Sequence, residues 1–161
     1  MIYSNACAYA IRAISRLAMV RPDGYVLPDE LCEGTDLPRH FVAKIFQDLV
    51  RRGLLTSAKG RGGGFALARK PEAITLYDIV AVIDGVESLD TCVVGMARCD
   101  DQQPCPQHDA WKAVRQQLRK FLMETTLATM ATTLERKLEM LGQAPPTPRS
   151  KSKPLAVDEA P

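Results

Sequence analysis

Long apolar runs and membrane-targeting patterns are absent from this 161-residue sequence. No stretch approaches the ~18 consecutive apolar residues that a membrane-spanning helix requires. The N-terminus begins Met-Ile-Tyr-Ser and shows no basic segment followed by an apolar one, which is the pattern of a signal peptide. We therefore expect a cytoplasmic protein that resides in a reducing compartment and does not bind membranes.

Motifs of common enzyme classes are also absent. The chain has no dinucleotide-binding fingerprint, no nucleophile elbow and no phosphate-binding P-loop. It contains only two histidines, His40 and His108. These absences argue against an enzyme, including an iron–sulfur oxidoreductase.

The composition is that of an ordinary globular protein, with 46% hydrophobic and 25% charged residues. The net charge of +2 is unevenly distributed, because residues 38–70 contain eight Lys or Arg and a single acid, Asp48, for a net charge of +7. A basic concentration of this kind is typical of a nucleic-acid-binding surface. By itself it is equally compatible with a solvated helix face.

The basic segment has the pattern of a helix-turn-helix. A short helix over residues 28–33 and a break at residues 34–36 precede a longer helix that starts at Pro38 and stops at Gly53, with Asp36 or Leu37 as its cap. Such a helix pair, with a polar outer face on the second helix, is typical of DNA-binding proteins. We expect Phe41, Ile45 and Leu49 to face the core, with Phe46 as a further candidate for that face. Arg39, His40 and Lys44 are expected to face DNA.

A basic β-hairpin follows directly. Residues 54–58 and 65–68 read as two strands, and the connecting sequence KGRGGG places two cations beside four glycines. A hairpin in this position predicts the wing of a winged helix, with DNA contacts from Lys59, Arg61 and Gly62. A merely flexible turn is the simpler interpretation of the glycines.

A cysteine-rich stretch occupies residues 92–108 with the pattern C-x(6)-C-x(5)-C-x(2)-H, formed by Cys92, Cys99, Cys105 and His108. No apolar period runs through it, so it predicts a long loop, which is a common setting for functional residues. Thiolates and imidazole suit zinc, copper(I) or an iron–sulfur cluster. The wide spacing favours a polynuclear iron–sulfur cluster over one zinc ion, and ordinary surface thiols are the third interpretation.

Two further helices frame these motifs. The first begins at an N-cap, Ser4, and ends near Val20. The other begins at Thr75, where Asp78 replaces the usual Glu or Gln of a capping box, and ends near Gly85.

A long amphipathic helix is predicted from about Asp109. Its apolar residues recur at steps of three and four, and the pattern weakens at Thr125 and Thr126, where a break and restart fit the sequence. A chain of this size offers too little surface to cover such a helix, so we expect a homodimer. The two parts of the apolar seam are formed by Trp111, Val114, Leu118, Phe121, Thr125 and Ala128, and then by Ala131, Leu134, Leu138 and Leu141.

These elements predict a mainly α-helical fold, a winged helix-turn-helix with a small β-hairpin wing plus a long dimerisation helix. Residues 1–86 are expected to form the DNA-binding domain, and residues 87–141 the cysteine loop and dimerisation helix. Residues 142–161 contain five prolines and few apolar residues, which predicts a disordered tail.

With these motifs assembled, the chain resembles the iron–sulfur transcription regulators of the IscR, NsrR and RirA kind, the Rrf2 superfamily. The resemblance rests on YAIR at residues 9–12, RGGGF at residues 61–65 and PCPQHDAW at residues 104–111, and it extends to about Leu141. It implies a homodimeric regulator that binds double-stranded DNA at a palindromic operator. It also implies a cluster, [2Fe–2S] rather than [4Fe–4S], that reports iron supply, cluster status, oxidants or nitric oxide.

Three departures from the family pattern bear on the site. The first cysteine interval has six residues where IscR-like members have five. The third helix carries Ala43 in place of a base-reading acid, so operator sequence cannot be carried over. Ala8 stands where some NsrR-like members supply a carboxylate ligand, which leaves His108 or Cys7, reaching across the dimer, as the fourth ligand. Cys7 lies on the apolar stripe of the first helix, where a buried thiol is more common than a ligand.

Overall fold

The computed structural model describes residues 2–20 and 24–145 as a mainly helical chain with one antiparallel hairpin, which confirms the predicted winged-helix fold. Two short 3-10 turns, Pro71–Ala73 and Glu87–Leu89, flank the fourth helix. No helix in the described part of the chain is both long and apolar enough to cross a membrane. The elements in chain order are α1 (Asn5–Val20), α2 (Pro28–Cys32), α3 (Arg39–Arg51), β1 (Leu55–Ala58), β2 (Gly64–Leu67), α4 (Leu76–Ile83), α5 (His108–Glu124) and α6 (Leu127–Met140).

The helix starts follow from side-chain caps. Ser4 Oγ accepts a hydrogen bond from the Cys7 amide at 3.0 Å, as predicted for the N-cap of α1. Thr75 Oγ1 accepts from the Asp78 amide at 3.2 Å, and the Asp78 carboxylate accepts from the Thr75 amide at 2.9 Å. This is the predicted capping box, and it works with Asp because the shorter carboxylate still reaches the cap amide.

The structure corrects two details of the predicted α3. Its N-cap is Pro38, so neither Asp36 nor Leu37 caps it. The prediction that Phe41 faces the core is also wrong: its side chain is 39% exposed and packs edge-on against Tyr9 with ring centroids 5.9 Å apart. Periodicity left the phase of the apolar stripe uncertain by one residue, and the stripe that is buried consists of Val42, Ile45, Phe46 and Leu49.

The wing is joined to the segment that precedes α2. Val26 and Phe65 exchange two backbone hydrogen bonds of 2.9 Å, so Val26 extends the hairpin by one bridge. Gly64 adopts φ +134°, and a Cβ there would lie 2.4 Å from the Val26 carbonyl oxygen. Only glycine permits this close approach, and the wing therefore has a defined position beside the helix-turn-helix.

The long helix is broken as its sequence suggested. α5 ends at Glu124, and Thr126 caps α6 by accepting from the Thr129 amide at 3.2 Å. The break lets α6 return to the DNA-binding domain, where Leu127 and Ala131 enter the main core beside α1. The second half of the predicted seam is thus largely covered within the chain.

Two backbone hydrogen bonds of 2.8 Å hold this junction, from the Leu76 amide to the Thr125 carbonyl and from the Leu127 amide to the Ile74 carbonyl. α6 thus shares a core with residues assigned to the 1–86 domain, while the boundary itself stays a prediction. The predicted tail over 142–161 falls mostly on residues 146–161, which lie outside the described residues.

Candidate metal centre and nucleic-acid interface

Three thiols converge in the loop between α4 and α5. The Sγ atoms of Cys92, Cys99 and Cys105 all lie within 4.8 Å of one another, with Cys105 buried and the other two half-buried. Local turns bring them together, because the Gly95 amide donates to the Cys92 carbonyl at 3.0 Å and the Gln103 amide to the Asp100 carbonyl at 3.2 Å. The sequence predicted these three residues as a group, and the fold brings them together.

His108, the first residue of α5, contacts one of these thiols and lies outside the set of three whose ligand atoms are all within 4.8 Å of one another. Its side chain is 4% exposed, and its Nδ1 lies 3.1 Å from Cys99 Sγ. Its Nε2 lies 3.0 Å from an oxygen of Asp101. Both contacts raise the pKa of His108, and the hydrogen bond with Cys99 contributes more than the one with Asp101.

Both ends of the cysteine loop are held on α5. Before Cys92, Arg119 pairs with the Asp90 carboxylate at 2.8 Å, Arg115 donates to the Asp90 carbonyl at 3.1 Å, and the Trp111 indole donates to the Thr91 carbonyl at 3.4 Å. After Cys99, Lys112 contacts both oxygens of Asp101 at 2.7 and 2.8 Å. A change in the conformation of the loop therefore acts directly on α5 through these contacts.

Cys7, the alternative fourth ligand, lies elsewhere in the protomer. It is fully buried among Leu76, Val80 and Leu122, where α1, α4 and α5 meet. Burial, with a contribution from the negative charge of Asp84, raises the pKa of the Cys7 thiol to about 12. Because metals bind the thiolate, this environment opposes ligation by Cys7.

The thiol of Cys92 has the opposite character. Desolvation raises its pKa, but hydrogen bonds from the backbone amides of Met96 and Val94 and from the Cys105 and Cys99 thiols outweigh it and lower the pKa of Cys92 to about 7. A substantial fraction of Cys92 is thus thiolate at neutral pH, in a form ready to bind a soft metal.

The donor set fits a metal or a cluster. Thiolate ligands of one tetrahedral metal lie about 3.8 Å apart when the bonds are about 2.3 Å, so the three sulfurs need only small shifts to serve as common ligands. Three thiolates and one imidazole suit zinc or an iron–sulfur centre. That these four residues hold a metal stays a prediction.

Asp101 and Lys112 were not singled out from the sequence. An acid two residues after Cys99, and a lysine one helical turn after His108, are the signals that could have found them. Neither is specific without the contact between them, because charged residues are common in loops and on helices.

The predicted DNA-contacting side chains are accessible. Arg39, His40 and Lys44 are exposed on α3, as are Lys59 and Arg61 at the tip of the wing, while Gly62 is half-buried with φ +77°. Arg39 lies 3.9 Å from Asp29, so its charge is partly balanced within the helix-turn-helix. The basic segment therefore forms a surface that includes the outer side of α3 and the wing.

Comparison with known proteins identifies the family. Residues 3–133 match the model of Rrf2, described as an iron-dependent transcriptional regulator. The chain belongs to the Rrf2 family. A predicted HTH-type transcriptional regulator of Aquifex aeolicus is 32% identical over 140 residues, which cover 86% of this chain and 96% of that protein. IscR of Yersinia pestis is 28% identical over 123 residues, which cover 76% and 74%.

Solved structures agree with this assignment. CymR of B. subtilis, described as the global cysteine regulator, has a TM-score of 0.67 at 25% identity and covers 81% of this chain and 95% of its own. IscR of T. potens has a TM-score of 0.64 at 25% identity, with coverages of 83% and 88%. As an Rrf2 member, the protein is a DNA-binding transcriptional regulator and not an enzyme.

The contrasting thiol environments predict an order of alkylation. In the metal-free native protein at neutral pH, iodoacetamide should modify Cys92 about tenfold or more faster than Cys7, because only the thiolate reacts and Cys7 is both buried and protonated. Peptide mass spectrometry after timed quenching measures both rates. In denaturant the two rates should become similar, and similar rates in the native protein would contradict the described burial of Cys7.

Proposed function

We propose that this protein is a homodimeric transcription factor whose operator affinity is controlled by an iron–sulfur centre held by Cys92, Cys99, Cys105 and His108. The observation that carries the proposal is the convergence of the three thiols within 4.8 Å of one another, with the His108 ring 3.1 Å from one of them. When bound, such a centre supplies sensitivity to iron supply, oxidants or nitric oxide. A [2Fe–2S] form is the one we favour.

The contacts of α5 support communication between this centre and the DNA-binding surface. The loop is held by side chains between Trp111 and Arg119 of α5, and Leu122 near the C-terminal end of that helix packs with Cys7 and Val80. Val80 belongs to α4, which packs against α1 and α3. A change in the loop can therefore reposition α5 relative to the helix-turn-helix, provided that one position binds the occupied loop more favourably than the other.

Structural zinc is the second candidate, because three converging thiols with an imidazole beside one of them also offer the donor set of a common zinc site. A thiol switch without metal is the third candidate, and the low pKa of Cys92 beside two other thiols favours it. These alternatives share the DNA-binding function and differ in colour, since zinc and thiols do not absorb visible light.

The ligand assignment predicts distinct spectra. Anaerobically purified wild-type protein should show visible absorption, and Cys→Ala at position 92, 99 or 105 should abolish it because each removes one ligand. His108→Ala should leave a labile or altered chromophore. Cys32→Ala serves as the control, since this thiol is buried outside the group. Cys7→Ala tests the alternative fourth ligand and should also change the spectrum little.

Two results would contradict parts of this proposal. A colourless Cys7→Ala variant beside an unchanged His108→Ala variant would assign the fourth ligand to α1 of the partner. A wild-type protein that contains zinc and remains colourless after anaerobic preparation would replace the iron–sulfur proposal by the zinc one.

The exposed cations support two different roles in DNA binding, one for the wing and one for α3. We assign Lys59, Arg61 and the Gly62 backbone to phosphate contacts by the wing, because glycine and long basic side chains allow close approach to the DNA backbone. Arg39, His40 and Lys44 on α3 are assigned to the major groove, where they determine sequence preference.

The wing assignment predicts a change in salt dependence. Lys59→Ala with Arg61→Ala should weaken binding similarly on all DNA sequences and reduce the slope of log K against log salt by roughly one unit per lost phosphate contact. Fluorescence anisotropy at several salt concentrations measures this. Lys120→Ala with Arg136→Ala removes the same charge from exposed positions on α5 and α6, and should leave the slope unchanged. An equal effect of both pairs would mean that net charge, not the wing, is responsible.

An uncovered apolar face on α5 supports the dimer. Val114 and Phe121 are about half exposed, at 51% and 48%, and their seven-residue spacing places them on one face. A dimer formed through this face would present two copies of α3 to DNA. Recognition helices about 34 Å apart reach two half-sites one turn of DNA apart, which implies a palindromic operator.

The uncovered apolar face of α5 predicts that charged substitutions will produce a monomer. Val114→Glu with Phe121→Glu should shift the protein to monomers that bind a half-site weakly, because charge is costly in an apolar interface. Analytical ultracentrifugation at micromolar concentration measures the change. Met123→Glu is the matched control, since Met123 is 48% exposed but lies on nearly the opposite side of the helix. A wild-type monomer that still protects a complete palindrome would contradict the dimer.

A further inference from the structure

A chain of polar contacts connects the surface of α5 to Cys99, one of the three converging thiols. Lys112 Nζ contacts both carboxylate oxygens of Asp101, at 2.7 and 2.8 Å. Asp101 Oδ1 lies 3.0 Å from His108 Nε2, and His108 Nδ1 lies 3.1 Å from Cys99 Sγ. Each of the two ring nitrogens thus has one polar partner, and the two partners lie on opposite sides of the ring.

The chemistry of these partners assigns the ring nitrogens. An ionised carboxylate can only accept hydrogen bonds, so the nitrogen that faces Asp101 carries the hydrogen. In the neutral imidazole the other nitrogen, Nδ1, then has a free lone pair, and that nitrogen lies 3.1 Å from the sulfur of Cys99, one of the three converging thiols. A metal-bound histidine characteristically donates its second N–H to a carboxylate in this way, which fixes the ring and increases the basicity of the ligating atom.

We propose that Asp101 is a positioning residue for the metal centre, and that it orients His108 so that Nδ1, not Nε2, is the ligating atom. This inference rests on the proposed metal centre and adds to it both the ligating nitrogen and the residue that selects it. Lys112 holds the carboxylate in place from the next turn of α5.

The exposure of these groups supports a role beyond surface charge pairing. The Asp101 side chain is 70% exposed and that of Lys112 is 42% exposed, so their ion pair is largely screened by water and contributes little by itself. The His108 side chain, in contrast, is 4% exposed. Asp101 is therefore a solvent-accessible acid whose one buried partner is the proposed fourth ligand.

Iron release tests the positioning role. After anaerobic reconstitution of the full chain, Asp101→Ala should lose iron to a chelator about 10–100-fold faster than wild type, because removal of such a partner usually lowers metal affinity by about that factor. Its visible spectrum should shift in the same direction as that of His108→Ala. Asp101→Glu should restore part of the stability, because it retains an ionised acceptor.

Two comparisons separate this role from a merely structural one. Asp100→Asn is the matched control: Asp100 is the neighbouring acid, and its Oδ1 accepts from the Gln102 and Gln103 amides, which an asparagine oxygen can also do. In the His108→Ala background, Asp101→Ala should have no further effect, since a positioning residue acts through the ligand that it positions. An additive effect of the two substitutions, or wild-type behaviour of Asp101→Ala, would overturn the proposal.

A zinc-loaded sample tests the ligating atom without iron–sulfur chemistry. Long-range proton–nitrogen NMR of the full chain should show zinc at Nδ1 and hydrogen at Nε2 of His108, with exposed His40 as the internal reference. Asp101→Ala should produce a mixture of Nδ1- and Nε2-bound forms. Zinc at Nε2 in the wild type, or an unbound His108 ring, would overturn the assignment. A colourless wild type with zinc at Nδ1 would instead refute the iron–sulfur proposal and support this one.

Discussion

Burial of α1 is the constraint on which the other elements depend. Half of its sixteen residues are buried, and α2, α3, α4 and α6 all pack against it. Burial on several sides explains why a chain with so few aromatic residues forms a defined core, since apolar surface removed from water is the dominant favourable term in folding. The helix-turn-helix, the wing and the returning α6 are therefore parts of one packed unit.

The same arrangement leaves α5 as the element that connects the cysteine loop to the core of the winged helix. Its first turns hold the cysteine loop through Trp111, Arg115 and Arg119, while Leu122 packs beneath α4. Val114 and Phe121 remain uncovered on its outer face. One helix thus contacts the proposed metal centre, the core behind the DNA-binding surface and the proposed dimer partner, so displacement of α5 affects all three.

Much of the fold was predictable because its signals are local. Ser4 and Thr75 cap helices through contacts with residues three positions away, and the KGRGGG turn lies between two short strands, so neighbouring sequence is sufficient. The spacing of Cys92, Cys99 and Cys105 likewise predicted that these thiols act together, and the fold brings them together. The role of His108 as the fourth ligand stays a prediction. The phase of α3 was less certain, because Phe41 and Val42 are adjacent and both apolar, and only packing decides which one is buried.

Residue type and short spacing were sufficient to predict the winged helix, the basic surface and the set of candidate ligands. Three other features become visible only in the folded chain: the return of α6 onto α1, the apolar surroundings that raise the pKa of Cys7, and the contact of Asp101 with His108. Each of these depends on which segments meet in three dimensions. Burial and hydrogen bonding between such segments, which periodicity does not encode, then determine the charge and orientation of individual side chains.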